Sequence, residues 1–516
     1  MKQTVNKILL LLLGAFLSLQ SRSSSIKASA FGFSLKDATA CLQKAFDSSA
    51  DTVIVDNVGQ WNVAPVFVNQ NNKTIIFERG VLLKALSGRY DINDCVLNIS
   101  ANALNPNIRK NITLIGYGAT IQMRKNEYTE KINGEFRHCL TIDNAENIIV
   151  LGLTFIDSGG DGIIIGNASP DNLQGVKYCK DIVIKHCRCI NNKRQGLSII
   201  SVINLLVEEC IFESTDGTAP SAGIDVEPDV EDEVVYNCII RKCFVQNNAG
   251  NGIQVYVPNA NPQRHPLSVT IEDCVIKNNR QNGLFIFGPG KASGKSNILV
   301  SNCRVVDNNG GIEVANTTAG NITVEQSFFR NAPGKTNAIF TMDYGYNQYA
   351  ITRGQIFGGI VFSDCSVVVG NSTIFSVKNE KSTLFSGIKG VAGKVYIIDS
   401  AYGKRVVKNS YAVDVQSVPK KEHSNKVKVT GVSIDLSRSG NGSINFSPVK
   451  SFVPVDIVSR ITFNGGIIFE QPISFQDLAR GKSSLDIGLM KLQPGAAYLE
   501  VIEWGKVIFK TGIPAI

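Results

Sequence analysis

The chain has 516 residues, with 52 Lys and Arg against 44 Asp and Glu and a formal charge of +8. Charged residues make up only 19%, glycines number 46 and mean hydropathy is +0.04, a balance that suits a β-rich, loop-rich fold. Residues 1–30 hold four of the cations and no anion, so the charge without them falls from +8 to +4, which excludes the basic footprint of a nucleic-acid binder.

Residues 1–30 read as a signal peptide. Lys2 and Lys7 precede an apolar run from Ile8 to Leu19, and a polar stretch ends at Ala28-Ser29-Ala30. The run is short for a membrane span and no second one follows, so the expectation is an exported protein with no membrane span, placed in the periplasm, at the cell surface or outside the cell. From Leu35 to Phe46, the residues Leu35, Ala38, Leu42, Ala45 and Phe46 fall on one helical face, as a cap over the end of a β-solenoid would require. From Asp51 onward, short apolar runs such as Thr52–Val55, Lys73–Phe77 and Asn111–Ile115 predict strands.

A repeat then becomes visible. Gly plus an aliphatic residue recurs at Gly162-Ile163, Gly196-Leu197, Gly223-Ile224, Gly252-Ile253, Gly283-Leu284 and Gly311-Ile312, at intervals of 34, 27, 29, 31 and 28 residues. A loose period near thirty marks a solenoid whose repeats are single supersecondary units. Cys187, Cys210, Cys243, Cys274, Cys303 and Cys365 each follow an aliphatic strand at one phase. That phasing predicts an inward stack of reduced, packed thiols in place of disulfides or a metal site. Four residues after the cysteine position come Asn191, Ser214, Asn247, Asn278 and Asp307, read here as a hydrogen-bonding ladder. Three short strands per repeat give an all-β fold: a right-handed, three-sided parallel β-helix over 31–410 with an N-terminal helical cap. Residues 411–426 read as a polar linker, and 427–516 as a small antiparallel β-sandwich.

The chemistry is expected in the repeat Gly223–Asp229. Where the other repeats carry Ile164, Ser198, Gln254, Phe285 and Glu313, it carries Asp225. Two residues on, it carries Glu227, against Gly166, Ile200, Tyr256, Phe287 and Ala315 elsewhere. Alternation puts Asp225 and Glu227 on one strand face, their Cα atoms roughly 6.5–7 Å apart, a spacing that suits acid/base work on a glycosidic bond. Asp161 is the third catalytic candidate. Asp216, Asp229, Gln254, Tyr256, Arg194, Arg264 and His265 are the candidate substrate-binding residues, the last two on a loop that interrupts a coil after Tyr256. No cofactor is required, although Asp225, Glu227 and Asp229 offer the oxygen ligands that Ca²⁺ prefers.

The Asn and Cys phasing, the capping helix and the Gly-aliphatic strands make residues 31–410 resemble the pectin-lyase-like β-helix superfamily, whose members are largely carbohydrate-active, and within it the β-helix proteins of polysaccharide-degrading bacteria. Asp157-Ser158-Gly159-Gly160-Asp161-Gly162 is similar to the Asp-Asp turn of polygalacturonase-type hydrolases, whose Gly-His-Gly and Arg-Ile-Lys elements are absent here. Gly223-Ile224-Asp225-Val226-Glu227-Pro228 is similar in outline to the Gly-Phe-Asp-Pro-His-Glu motif of alginate epimerases, without its His. Leu492–Val501 with Trp504-Gly505-Lys506 resembles the sorting domain of the Bacteroidetes type IX secretion route, which implies secretion machinery as a partner. Together these imply an exported glycoside hydrolase acting on a polysaccharide or oligosaccharide in a groove on one parallel sheet. The alternatives are a Ca-assisted polysaccharide lyase or uronate epimerase, and a non-catalytic glycan-binding β-helix.

Overall fold

The computed structural model describes residues 24–100, 108–128, 135–166, 178–288, 296–315, 321–343, 355–357, 359–368, 372–378, 385–388, 391–397, 413–417, 428–435, 441–447, 456–486, 497–503 and 506–513. The apolar run of the expected signal peptide and most of the sorting-type motif lie outside these residues.

One coil shows how the sequence makes the fold. Cys179–Lys185 runs along the first face, Arg188–Ile190 along the second and Leu197–Ile199 along the third. Each strand pairs in parallel with its counterpart one coil on, so Ile182 lies beside Leu205, Cys189 beside Phe212, and Leu197 beside Ile224. The corner between the first two faces needs one residue at positive φ, and His186, Glu209, Lys242, Asp273, Asn302 and Gln326 occupy it at φ 46–56°. The third face is an eleven-stranded parallel sheet from Val66–Phe67 to Phe375–Lys378. The other two faces merge at Ile360–Val368, which pairs with Ile322–Glu325 and with Phe328–Asn331. Parallel crossovers of this kind are right-handed, so the chain is a three-sided right-handed parallel β-helix around one continuous apolar core.

All twelve cysteines are free and buried. In the stack from Cys187 to Cys365, each thiol lies 3.3–3.7 Å from a carbonyl of the preceding coil. Ser327 fills the same stack with a hydroxyl, accepting the Cys303 N–H at 3.0 Å.

The buried asparagine ladder lies one residue after the expected positions, although at those positions Asn191 Nδ2 does donate along the stack to Asp157 Oδ1 at 2.7 Å. Asn191, Ser214, Asn247, Asn278 and Asp307 take positive φ at the turn, a conformation that short polar side chains tolerate. The buried ladder is formed by the residues that follow. Asn248 Nδ2 donates to Asn279 Oδ1 at 2.9 Å, Asn279 Nδ2 to Asn308 Oδ1 at 2.9 Å, and Asn192 Oδ1 accepts the Ser158 N–H at 3.2 Å. The glycine column is required by this close packing. A Cβ on Gly223 would stand 2.4 Å from Val245 Cγ1, 2.8 Å from Asn248 Nδ2 and 2.8 Å from the Gly252 carbonyl.

Three boundaries differ from expectation. The cap helix is Thr39–Asp47, started by the Asp37 carboxylate accepting the Thr39 N–H at 2.9 Å, so Leu35 precedes it and is 61% exposed. Residues 24–30 belong to the fold: Ser25–Lys27 pairs with Thr52–Ile54, Ala28 is fully buried, and Ser29 donates to Asp56 through N and Oγ. The stretch read as the end of a signal peptide is therefore the first rung of the helix. Within the expected linker, Val413–Ser417 pairs with Gly393–Ile397 as a further rung.

The C-terminal part is two antiparallel sheets sharing a core of Ile444, Ile461, Phe469, Leu485, Leu499 and Val501. It docks on the second face. Val458 and Ile502 pack against Ile211, Phe244 and Val275, while Asp456 and Glu470 receive Arg304 and Lys277.

Candidate functional site

On the third face the inward positions are aliphatic, Ile163, Leu197, Ile224, Ile253, Leu284 and Ile312 in register. The outward column between them reads Thr141, Ile164, Ser198, Asp225, Gln254, Phe285, Glu313 and Thr341. Asp225 thus stands where the sequence places it, but not exposed: it is fully buried. Gln195 Nε2 donates to its Oδ2 at 2.6 Å and Gln254 Nε2 to the same oxygen at 3.3 Å, while Oδ1 has no hydrogen-bond partner. Burial, then the neighbouring charge of Glu227, hold the Asp225 carboxyl well above the usual carboxylate range, with Arg194 opposing.

Glu227, just past the strand, has a side chain 24% exposed and is ion-paired to Arg194 Nη2 at 3.1 Å. Arg194 also reaches Asp161 Oδ2, 3.7 Å from Nη1, so one guanidinium ties carboxylates from two coils. Burial disfavours its charge, but Asp161, Asp225 and Glu227 outweigh that and raise its pKa. Asp161 is fully buried, accepts from Ser198 Oγ at 2.9 Å and leaves Oδ1 unpaired. Burial pushes its carboxyl up to about 7, against Arg194 and Ser198.

His138 joins the group through the coil before. Its Nδ1 accepts the Asp161 backbone N–H at 2.9 Å, which places the ring proton of the neutral form on Nε2. Burial and Arg194 hold its pKa down to about 3. His138, Gln195 and Ser198 were not singled out from the sequence. The signal lay in the register: His138, Asp161 and Gln195 each stand two residues before an inward aliphatic (Leu140, Ile163, Leu197) on successive coils.

The other candidates divide. Asp229 is at the rim, exposed, and close enough to Glu227 for their charges to interact. Tyr256 is half-buried, its ring 4.9 Å from that of Phe287, whereas Phe285 and Phe287 themselves are buried and offer no open stacking surface. Asp216 is outside the group, paired to Arg280 at 3.3 Å. Arg264 pairs with Asp232 at 2.5 Å, and the His265 backbone closes the same turn on Asn261. Their loop turns them to local partners and away from the carboxylates. Among the described residues, no group of three His, Cys, Asp or Glu side chains is arranged to hold a metal ion. Arg194 occupies the place beside Glu227 that a cation would take. No helix among the described residues is long and apolar enough to cross a membrane.

A family model described as a right handed beta helix region matches residues 233–329. The curated protein YclG of Bacillus subtilis (strain 168), itself described as uncharacterized, is 26% identical over 182 residues. That match spans 33% of this chain and 31% of the relative, so the chain covers less than a third of that protein's length. Among solved structures, the chain is similar to the A-module of the Azotobacter vinelandii mannuronan C-5 epimerase AlgE6, with a TM-score of 0.45, 13% identity and coverage of 76% of this chain and 99% of that one. It is similar to the pre-mature bacteriophage phi29 gene product 12 at a TM-score of 0.48 and 12% identity, covering 75% and 53%. For the family 28 exopolygalacturonase of Yersinia enterocolitica the TM-score is 0.40, with 13% identity and coverage of 77% and 72%.

Proposed function

We propose that the chain is a carbohydrate-active β-helix protein that hydrolyses glycosidic bonds of a polysaccharide on its third face. One observation carries the reading. Asp161, Asp225 and Glu227, from two coils, meet around the single guanidinium of Arg194, which comes from the coil between them, and two of the three are fully buried. Three negative charges and one positive in a dry setting retain a proton near neutrality, and a carboxyl still protonated there is what a general acid must be.

The burial of the group supports roles other than those expected from the strand alone. Asp225 is closed to solvent and cannot itself reach a substrate, so the general-acid step falls to the partly exposed Glu227, whose charge acts on Asp225. Asp225 Oδ2 is taken up by the two glutamine amides, which leaves Oδ1 for the proton. Asp229, exposed and beside Glu227, takes the proton of the attacking water. Arg194 fixes Glu227 in place, and Tyr256 provides the half-open ring on which a sugar stacks. A lyase or epimerase needs a free cationic base, a role that Arg194, paired twice, does not suit. The second reading is a glycan-binding β-helix without catalysis, favoured by the complete burial of Asp161 and Asp225.

The test is reducing-end release over a polysaccharide panel with the wild type, Asp225→Asn, Glu227→Gln and Asp229→Asn, all shown to be equally folded. Release by wild type alone, without unsaturated product, supports the hydrolase. Unsaturated product transfers the site to lyase chemistry. Binding that survives every substitution, with no release, leaves the binding module. Export, and use of the C-terminal sandwich for sorting, belong to the same proposal; the docked sandwich favours an accessory role, tested by whether a secreted form retains it.

A further inference from the structure

All strands of the third face run one way, so the face has an entry edge and an exit edge. Glu227 and Asp229 stand at the exit edge, just past Ile224–Val226. Arg194 comes from the entry edge, just before Leu197–Ile199, and crosses the face to reach Glu227 at 3.1 Å. A glycosidic bond lying over this crossing therefore meets Glu227 and Asp229 from one side only. Hydrolysis by inversion needs the leaving oxygen protonated on one side of the sugar and a water held on the other.

Glu135 brings a carboxylate to the entry edge, where it precedes Leu140–Asp143. The backbone shows how it arrives there. Arg137 takes φ 68°, and the turn closes on Gly159-Gly160 of the next coil. The Gly159 N–H donates to the Arg137 carbonyl at 3.0 Å, and a Cβ on Gly160 would stand 2.6 Å from the carbonyl oxygens of both Glu135 and Phe136. Gly160 in turn accepts the Arg194 N–H at 2.9 Å, so a bare glycine is all that separates the Glu135 backbone from the coil that carries Arg194. Glu135 is exposed, and its carboxylate has no hydrogen-bond or ion-pair partner among the described residues. It is close enough to Arg194, to Asp161 and, across the face, to Asp229 for the charges to interact. Asp229 is exposed as well.

We propose that Glu135 positions the attacking water: its unpartnered side chain swings over the face, and the water donates one hydrogen bond to Glu135 and one to Asp229, which turns a lone pair to the anomeric carbon. The proposal rests on the hydrolytic reading above. As the water oxygen bonds to the anomeric carbon, one of its protons passes to Asp229 and the other stays on the new hydroxyl, against Glu135. Glu227 protonates the oxygen of the breaking bond. Glu135 thus has to accept a hydrogen bond and not a proton. The experiment compares the full-length wild type, Glu135→Gln and Glu135→Ala on the polysaccharide that the wild type cleaves, with thermal midpoints to show native folding. Glu135→Ala should lower kcat by about ten- to a hundredfold and leave KM within about twofold, as for a misplaced reactant. Glu135→Gln, whose amide oxygen still accepts, should recover most of that loss. The acidic limb of the kcat/KM profile, which reports Asp229 losing its proton, should move to lower pH in both variants. Burial, then Glu227, raise the Asp229 carboxyl against Arg194, and Glu135 adds to the rise that the variants remove. An unchanged kcat in Glu135→Ala, a rise in KM alone or an unmoved acidic limb overturns the proposal and leaves the hydrolysis in place. Equal losses in Glu135→Gln and Glu135→Ala also overturn it, since Glu135 would then be taking the proton. If the wild type releases no sugar from any polymer, the hydrolytic reading falls and this proposal with it.

Discussion

Replacing Glu470 by Gln should undock the C-terminal sandwich. Glu470 lies on Gly466–Pro472, is fully buried, and accepts Arg460 Nε at 2.9 Å from its own sheet. Across the interface Lys277 Nζ stands 3.3 Å from Oε2 and Arg304 Nη1 3.2 Å from Oε1. Burial would raise the carboxyl, but the three cations outweigh it and its pKa is lowered. Gln keeps the shape and removes the charge. Arg304 retains Asp456, which also meets Arg330, but among the described residues Lys277 keeps only its cation–π contact with Phe244. Leaving a buried charge without its partner costs about 3–5 kcal/mol, a hundred- to several-thousand-fold in an association constant. The assay introduces a protease site within residues 418–427, cuts it, and follows the two pieces by gel filtration. The wild-type pieces should co-elute and the Glu470→Gln pieces separate. Lys510→Ala, which removes an exposed partner of Glu500 on the same sheet, should change nothing. Co-elution of the Glu470→Gln pieces at nanomolar concentration would refute the claim that the buried charges hold the interface. Because the Glu470 pKa is depressed on folding, its contribution is present above the unfolded carboxylate pKa of about 4.3 and lost below it, so docking should weaken on acidification.

Three further outcomes are expected. Asp161→Asn should gain stability relative to wild type as pH rises from about 4 to 7. The native carboxyl binds its proton up to about 7 while the unfolded one has lost it, so the wild type loses a few kcal/mol in that window; thermal midpoints at pH 4.5 and 7.5 measure it, and equal shifts at both would contradict the burial argument. Asn279→Ala, which breaks the ladder and strands the Asn248 N–H, should cost about 2–4 kcal/mol, more than Asn278→Ala at the exposed turn beside it. A chain beginning at residue 31 should be less stable than one beginning at residue 24, because it lacks the Ser25–Lys27 rung and buried Ala28; N-terminal sequencing of any exported form should find cleavage no later than Ser24.

Much of the fold was legible because a solenoid writes its geometry into local spacing. The Gly-aliphatic period, the cysteine phase and the three strands per coil each needed only neighbouring residues, and register repeated them. Errors of one residue arose where two adjacent polar residues compete. At Asn278-Asn279 both suit a turn, and only the packed coil shows that the first takes positive φ while the second turns inward. Asp225 and Glu227 stood out as departures from the repeat, and their shared face followed from alternation. Their company did not. That Arg194 bridges to Asp161, that His138 arrives one coil earlier, and that Arg264 is spent on Asp232 depend on which loops fold back over the sheet. Burial of Asp225 likewise cannot be read from a strand pattern, since outward means solvent only where nothing covers the face.

The sequence by itself determined the repeat, the inward stacks and the position of the carboxylates, because each depends on contacts between residues a fixed number of positions apart. The tertiary structure alone decided which of those acids are dry, which cation they share and where the C-terminal sandwich rests. Those outcomes depend on distances between segments far apart in the chain, and the electrostatics of a buried group depend on everything around it.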